Sequence, residues 1–288
     1  MILVSGAAGK TGQAIVRDLV KAGVAVRAFV FRAEQAATVK TLGAQQVVAG
    51  DMRDGALYGQ AAQGVTGLYH LCSNMNPAEV EIGRLAIAAA KQAGVARFVY
   101  HSVLHPQTEK MPHHWHKLRV EEALFESGLD FTILQPAAYM QNILAGWDAI
   151  VEQGRYRVPY PVETRLSLVD LEDVAQVAAT VLTEAGHSQA SYELAGAEAP
   201  SQSEIATILS NQLGQAVQAE PIPLEAWAAG ARRGGLGPYQ IETLSRMFRY
   251  YERYHFRGNA NSLTWLLGRA PTSFIDFIKR TIQGKEFT

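Results

Sequence analysis

The sequence predicts an α/β fold: a doubly wound, mostly parallel sheet followed by a smaller C-terminal α/β region. Two observations predict it. The N-terminus reads strand, glycine turn, helix, because apolar Ile2-Leu3-Val4 runs straight into Ser5-Gly6-Ala7-Ala8-Gly9-Lys10-Thr11-Gly12. Beyond it, short apolar runs alternate with segments of helical apolar spacing as far as residue 137. That alternation is the pattern of successive βαβ units.

The elements follow in order. Apolar positions 15, 16, 19 and 20 give the first helix one buried face. A second strand is expected over 24–30, a short helix over 34–42 and a third strand over 46–49. Asp54 is placed to cap a helix running to residue 62. A fourth strand covers 67–72, a helix 78–93 closes at Gly94, and a fifth strand covers 97–101. A helix over 113–126 and a sixth strand over 130–134 complete the series. Residues 1–137 are therefore read as a Rossmann-like dinucleotide-binding domain. Residues 138–288 are read mainly as a substrate-binding region, with the chain crossing back to the sheet. There the rhythm breaks into short strands near 166–168 and 191–194 and helices near 171–185, 202–213 and 239–254. Such a region is expected over the carboxyl ends of the strands, where open α/β sheets bind ligands.

Bulk properties narrow the function classes. In 288 residues, 26 Lys+Arg stand against 27 Asp+Glu, for a net charge of −1. This balance argues against non-specific nucleic-acid or membrane binding. Cys72 is the single cysteine, so no intrachain disulfide forms, in keeping with a reducing compartment. With no signal peptide ahead of the first strand and no long apolar run, a cytoplasmic protein is expected. Arg246-Met247-Phe248-Arg249-Tyr250-Tyr251 is aromatic and basic, but at helical spacing it reads as core plus solvated charge rather than a nucleic-acid face.

Gly6, Gly9 and Gly12 form G-x-x-G-x-x-G, a variant of the dinucleotide fingerprint. Gly6 permits a sharp turn, Gly9 admits a pyrophosphate close to the backbone, and Gly12 lets the helix approach the sheet. The N–H groups and positive helix end over Ala8, Lys10 and Thr11 then face the phosphates. NAD sites usually end the second strand with an acid, whereas this chain has Arg32, which suits a 2′-phosphate and hence NADP(H). After the third strand come Asp51 and Met52. The Asp51 carboxylate either accepts from an adenine amino group or serves as a turn residue.

His113, Lys117, Val120 and Leu124 fall on one helical stripe, and an inward lysine needs a polar partner such as a cofactor ribose. His113 could act as an acid near neutrality, although a neighbouring ammonium would depress it. His114 and His116 are read as surface residues, and the triplet lacks the spacing of a zinc site.

Several segments carry a resemblance. They are Gly94-Val95-Ala96-Arg97-Phe98-Val99-Tyr100-His101-Ser102, the stretch from Lys117 through Val120-Glu121-Glu122 to Ser127-Gly128, and Thr132-Ile133-Leu134-Gln135-Pro136. Asp170-Leu171-Glu172-Asp173-Val174-Ala175, Tyr192-Glu193-Leu194-Ala195-Gly196 and Leu266-Leu267-Gly268-Arg269-Ala270-Pro271 extend it to nearly the whole chain. Together with the N-terminal pattern they resemble the NmrA-like family, an atypical branch of the short-chain dehydrogenase/reductase superfamily.

The resemblance implies that Cys72, Ser73 and Asn74 lie where the backbone passes the cofactor ribose, and that Pro136 lies beside the nicotinamide. It places Lys117 at the superfamily's lysine, His113 at the tyrosine four residues before it, and Ser102 near the catalytic serine. Tyr139 is then a pocket wall, a substitute proton donor or a core packing residue. Gln135 stands where related sequences carry an arginine, which argues against a phosphorylated or sugar-nucleotide substrate.

Two readings follow. One is an NADP(H)-dependent reductase passing hydride to a small apolar organic molecule of the quinone or conjugated-carbonyl type. The other is an NADP(H)-binding redox sensor that acts through a protein partner without turnover.

Overall fold

A computed structural model describes residues 1–73 and 75–284. The chain falls into two compact units. The first comprises Met1–Thr108, His113–Pro136 and Glu172–Tyr192; the second comprises Glu109–Pro112, Ala137–Leu171 and Glu193–Thr288.

The first unit is built on β1(Ile2–Val4), α1(Lys10–Lys21), β2(Val26–Val30), α2(Ala36–Thr41), β3(Gln46–Ala49), α3(Gly55–Ala62), β4(Gly67–His70), α4(Glu79–Ala93), β5(Arg97–His101), α5(Pro112–Phe125) and β6(Phe131–Pro136). Its sheet, completed by β10(Ala190–Leu194), runs in the order β10-β6-β5-β4-β1-β2-β3. The pairings from β3 through β6 are all parallel. Ile2, Leu3 and Val4 are all buried, as a central parallel strand covered on both faces requires. The winding direction reverses between β1 and β4, so the turn after β1 sits at the switch point of the sheet.

Most expected elements are present, with shifted ends. The helix expected over 34–42 is a 3-10 turn, Ala33–Gln35, followed by α2. The fourth strand stops at His70 because the Ser5 hydroxyl takes the Leu71 N–H at 2.8 Å, removing it from the ladder. The Asp54 carboxylate accepts from the Leu57 N–H at 3.0 Å, and Gly94 closes α4 in the left-handed conformation. Leu3, Phe29, Leu68, Phe98, Val120, Leu124 and Ile133 belong to one buried core.

The second unit contains elements that the sequence rhythm does not announce. β8(Arg155–Val158) pairs in parallel with β11(Gln218–Pro221), and β7(Ala138–Tyr139) with β9(Leu168–Val169). Its helices are α6(Trp147–Gln153), α8(Gln202–Leu213), α9(Leu224–Arg233), α10(Pro238–Tyr254), α11(Asn261–Leu267) and α12(Phe274–Ile282), while α7(Leu171–Thr183) leads the chain back to the first unit. Asp170, fully buried, accepts from Gln141 and from Arg280, both at 2.8 Å. Phe248 packs edge-on against Trp227, and Tyr251 packs against Phe256, while Arg246 pairs with Glu242 on the exposed face. The aromatic stripe of α10 is thus in contact with its own unit.

Candidate active site

The glycine turn has the shape a diphosphate needs. Gly6 is left-handed at φ 61°, and a Cβ there would lie 2.7 Å from the Leu71 carbonyl oxygen. A Cβ on Gly12 would lie 2.3 Å from the Gly6 oxygen, so only glycine lets α1 close against the turn. Gly9 differs, because a Cβ there would meet nothing nearer than the Gly6 oxygen at 3.4 Å. It is the N-cap of α1, with no side-chain cap and no acid in the first turn. The first N–H groups of the helix, from Lys10 to Gly12, therefore have no intrahelical partner, and the helix end is positive. Lys10 is exposed, Thr11 is half-buried, and Ala8 accepts from the Gln13 side chain at 2.7 Å. The cradle fits a dinucleotide pyrophosphate.

Arg32 follows β2 with its side chain exposed. Beyond the end of β3, the Asp51 carboxylate is gripped by Arg53 at 2.5–3.2 Å. The Arg53 guanidinium, first through its hydrogen bonds, holds that carboxyl below its ordinary range. Met52 packs against the hydrophobic core.

A buried polar cluster lies under the carboxyl ends of β4 and β5. Lys117, on α5, donates to Glu79 at 3.0 Å and to the His101 carbonyl at 2.9 Å, with its ammonium 5.2 Å from the centre of the Tyr100 ring. The Tyr100 hydroxyl donates to the same Glu79 oxygen at 2.8 Å. Tyr69 bonds His101 Nδ1 at 2.5 Å, and His70 lies stacked on Tyr100. Burial pushes Glu79 up, but the Lys117 charge, the field of His70 and the Tyr100 and Lys117 hydrogen bonds outweigh it and hold the carboxyl below its ordinary value.

His113 is buried on the same stripe, and its Nδ1 has no hydrogen-bond partner among the described residues. Burial foremost, then His114 and Lys117, lowers it to about 2. The depression by Lys117 has the direction expected of a neighbouring ammonium, and burial adds the larger part. His114 is not a surface residue. It is 1% exposed, packs edge-on against His113 and bonds the His105 carbonyl at 3.2 Å, because α5 is covered on more than one side.

Ser102, just past β5, donates a short hydrogen bond to Glu121, and Gln135 donates to both oxygens of that carboxylate at 3.0 and 3.1 Å. Gln135 therefore serves Glu121, a residue of the resembling stretch to which the sequence assigns no role. Burial raises the Glu121 carboxyl despite those bonds. Cys72 is buried, and burial, then Glu79, pushes its thiol far up, which removes it as a nucleophile. Ser73 is exposed, Asn74 lies outside the described residues, and the Pro136 carbonyl accepts from the Leu104 N–H at 2.9 Å. Tyr139 belongs to the second unit, half-buried on β7.

The family model described as NmrA-like family matches residues 1–276. The chain belongs to the NmrA-like family. An NAD(P)H azoreductase from Xenophilus azovorans is 30% identical over 281 residues, covering 97% of each chain. Quinone oxidoreductase 2 from Escherichia coli strain K12 is 31% identical over 238 residues, covering 82% of each. Among solved structures, an NADPH-dependent quinone oxidoreductase from Escherichia coli complexed with NADPH superposes with a TM-score of 0.86 at 27% identity, covering 98% of this chain and 100% of that one. The seven-stranded order of the sheet is the Rossmann-like arrangement expected of this NmrA-like chain. Among the described residues no helix is long and apolar enough to cross a membrane, and no group of His, Cys, Asp and Glu could hold a metal ion.

Proposed function

We propose that this NmrA-like protein is an NADP(H)-dependent reductase of small, apolar organic acceptors of the quinone, azo or conjugated-carbonyl type. The observation that carries the reading is the uncapped N-terminus of α1 behind the glycine turn, at the switch point of the sheet. The names of the azoreductase and quinone oxidoreductase relatives support the acceptor class.

In this reading the N–H groups at Lys10, Thr11 and Gly12 hold the pyrophosphate, which Gly9 admits, and Arg32 pairs with the 2′-phosphate. Cys72, Ser73 and Pro136 flank the nicotinamide half. Lys117 commits two of its N–H bonds to Glu79 and the His101 carbonyl, and its third reaches a ribose hydroxyl. When bound, NADPH supplies a hydride.

The chain's own groups then limit which acceptors fit. His113 stays neutral, the Ser102 hydroxyl is committed to Glu121, and Tyr100 is held protonated by burial and by Glu79. None of the three is an acid at neutrality. Acceptors whose anion is resonance-stabilised need no proton as the hydride arrives, and water can supply it afterwards. His113 is left to present a neutral hydrogen-bonding ring to the acceptor.

NADPH oxidation followed by absorbance with quinone, azo and conjugated-carbonyl substrates tests the reading. Steady turnover with at least one class is expected. Tight NADPH binding without turnover would replace it with the regulatory reading, in which a protein partner is the target. No NADPH binding at all would overturn both.

A further inference from the structure

We propose that Glu79 is the positioning residue for Lys117, its buried carboxylate fixing the ammonium where a nicotinamide ribose is met. The inference rests on the reading of Lys117 given above.

Glu79 is 3% exposed, yet it is a carboxylate in the interior of a first unit that packs well without it. Acids are almost never this buried unless paired. On one oxygen Glu79 is paired with Lys117 at 3.0 Å and with the Tyr100 hydroxyl at 2.8 Å. Tyr100 touches both charges, since its ring also faces the ammonium at 5.2 Å. Lys117 is thus held from three sides, by Glu79, by the His101 carbonyl and by an aromatic face.

Stability does not account for such a pair. Two charges buried together gain little over apolar residues of the same volume, because desolvation offsets their attraction. What the pair does provide is a lysine with one geometry. An unpaired lysine has a long, flexible stem and would turn its ammonium toward water.

The fold is arranged to make the pair. Glu79 lies in the first turn of α4, where the helix dipole favours an acid. One turn further on, Gly83 brings α4 against α5, since a Cβ there would sit 2.6 Å from both methyls of Val120. Val120 is three residues beyond Lys117 and Gly83 four beyond Glu79, so the close approach of the helices sets the distance between the two charges. The Tyr100 phenol, the Cys72 thiol, His70 and Lys117 are titratable groups whose fields couple to Glu79, and Lys117 is the cation among them.

Equilibrium titration with two ligands tests the proposal without turnover. NADPH carries the nicotinamide ribose, whereas adenosine 2′,5′-bisphosphate carries only the end bound by α1 and Arg32. Glu79→Gln keeps the shape and removes the charge. It is expected to weaken NADPH about tenfold, within the coupling of directly bonded residues, and to leave the bisphosphate within about twofold. Lys117→Met should show the same selective pattern.

Equal weakening of both ligands by Glu79→Gln would mean a general structural role, and no weakening of either would mean no role; both overturn the proposal. If Lys117→Met leaves NADPH untouched, the ribose reading of Lys117 fails instead, and the positioning role with it. Should Glu79→Gln not fold, Tyr100→Phe keeps the ring and removes the phenol donor to the same carboxylate oxygen. A smaller loss, about threefold and confined to NADPH, is then expected. A loss shared by the bisphosphate, or no loss, overturns the proposal.

Discussion

Replacing Gly83 by alanine probes the seam on which the Glu79–Lys117 pair depends. In an open helix this change helps, because alanine is favoured over glycine by about 1 kcal/mol. Here the new Cβ would lie 2.6 Å from both Val120 methyls and 3.2 Å from its Cβ. Ordinary contact begins near 3.4 Å, so the helices must separate by a large part of an ångström. Val120 cannot swing clear, since a β-branched side chain in a helix is held to essentially one rotamer. Overpacking of this kind costs roughly 1–3 kcal/mol, and the steric limit at both methyls places Gly83→Ala in the upper part. Less the helix gain, a net loss of about 1–2 kcal/mol is expected.

Val120→Ala alone removes two methyls, about 1.6 kcal/mol of transfer energy plus a cavity term. In the double variant the methyl introduced at position 83 enters that space, so the two losses should fall short of their sum by at least about 1 kcal/mol. Urea unfolding followed by circular dichroism measures all three, and NADPH titration reports whether opening the seam also disturbs Lys117. If Gly83→Ala is neutral or stabilising, the helices do not meet at this residue and the account of how the pair is positioned is wrong.

Gly9→Val should abolish binding of NADPH and NADH alike with little change in stability, because its Cβ meets only the Gly6 oxygen at 3.4 Å. Calorimetry finding native affinity in a folded variant would place the pyrophosphate elsewhere. Arg32→Ala should weaken NADPH by roughly tenfold or more and leave NADH unchanged, as loss of a charge-assisted pair predicts; equal losses for both would refute the 2′-phosphate role. Stability should fall in acid. Burial lowers His70 and His114 to about 4, His101 to about 3 and His113 to about 2. Because the folded values lie below the unfolded value of 6.5, the unfolded chain takes up these protons first. The contribution is complete above that value and is lost as pH falls below it. The four rings together should make the protein roughly 4–6 kcal/mol less stable at pH 5.5 than at pH 7.5. Urea unfolding at the two pH values checks this, and a flat profile would mean that these histidines are charged or exposed in the native state.

The N-terminal cradle was legible from sequence because its requirements are local. A turn that needs φ 61° at Gly6 and admits no Cβ at Gly12 writes itself as glycines at fixed spacing. Lys117 and His113 were legible as a pair for the same reason, since helical periodicity alone puts them on one stripe with Val120 and Leu124. Asp54 and Gly94 announced two helix ends through capping chemistry that acts within three residues or at the cap itself.

Tertiary structure decided the rest. Glu79 reads in the sequence as one more acid at a helix start, and its partner lies 38 residues away. The nearest local clue was Gly83, a glycine in the middle of a helix, which marks a close approach without saying what approaches. His114 looked like a polar residue beside a functional one, and only the burial of α5 made it a neutral core ring. Gln135 was legible as a departure from a familiar pattern, but its partner Glu121 was visible only once β6 and α5 were packed. In the second unit, β8 and β11 pair across about sixty residues and bury little of their surface, so neither carries a period strong enough to announce a strand. Local sequence determines turns, caps and helical faces, because the forces that set them act within a few residues. Which buried charge meets which, and at what pKa, is set by desolvation and by partners far along the chain, and only the folded molecule brings those together.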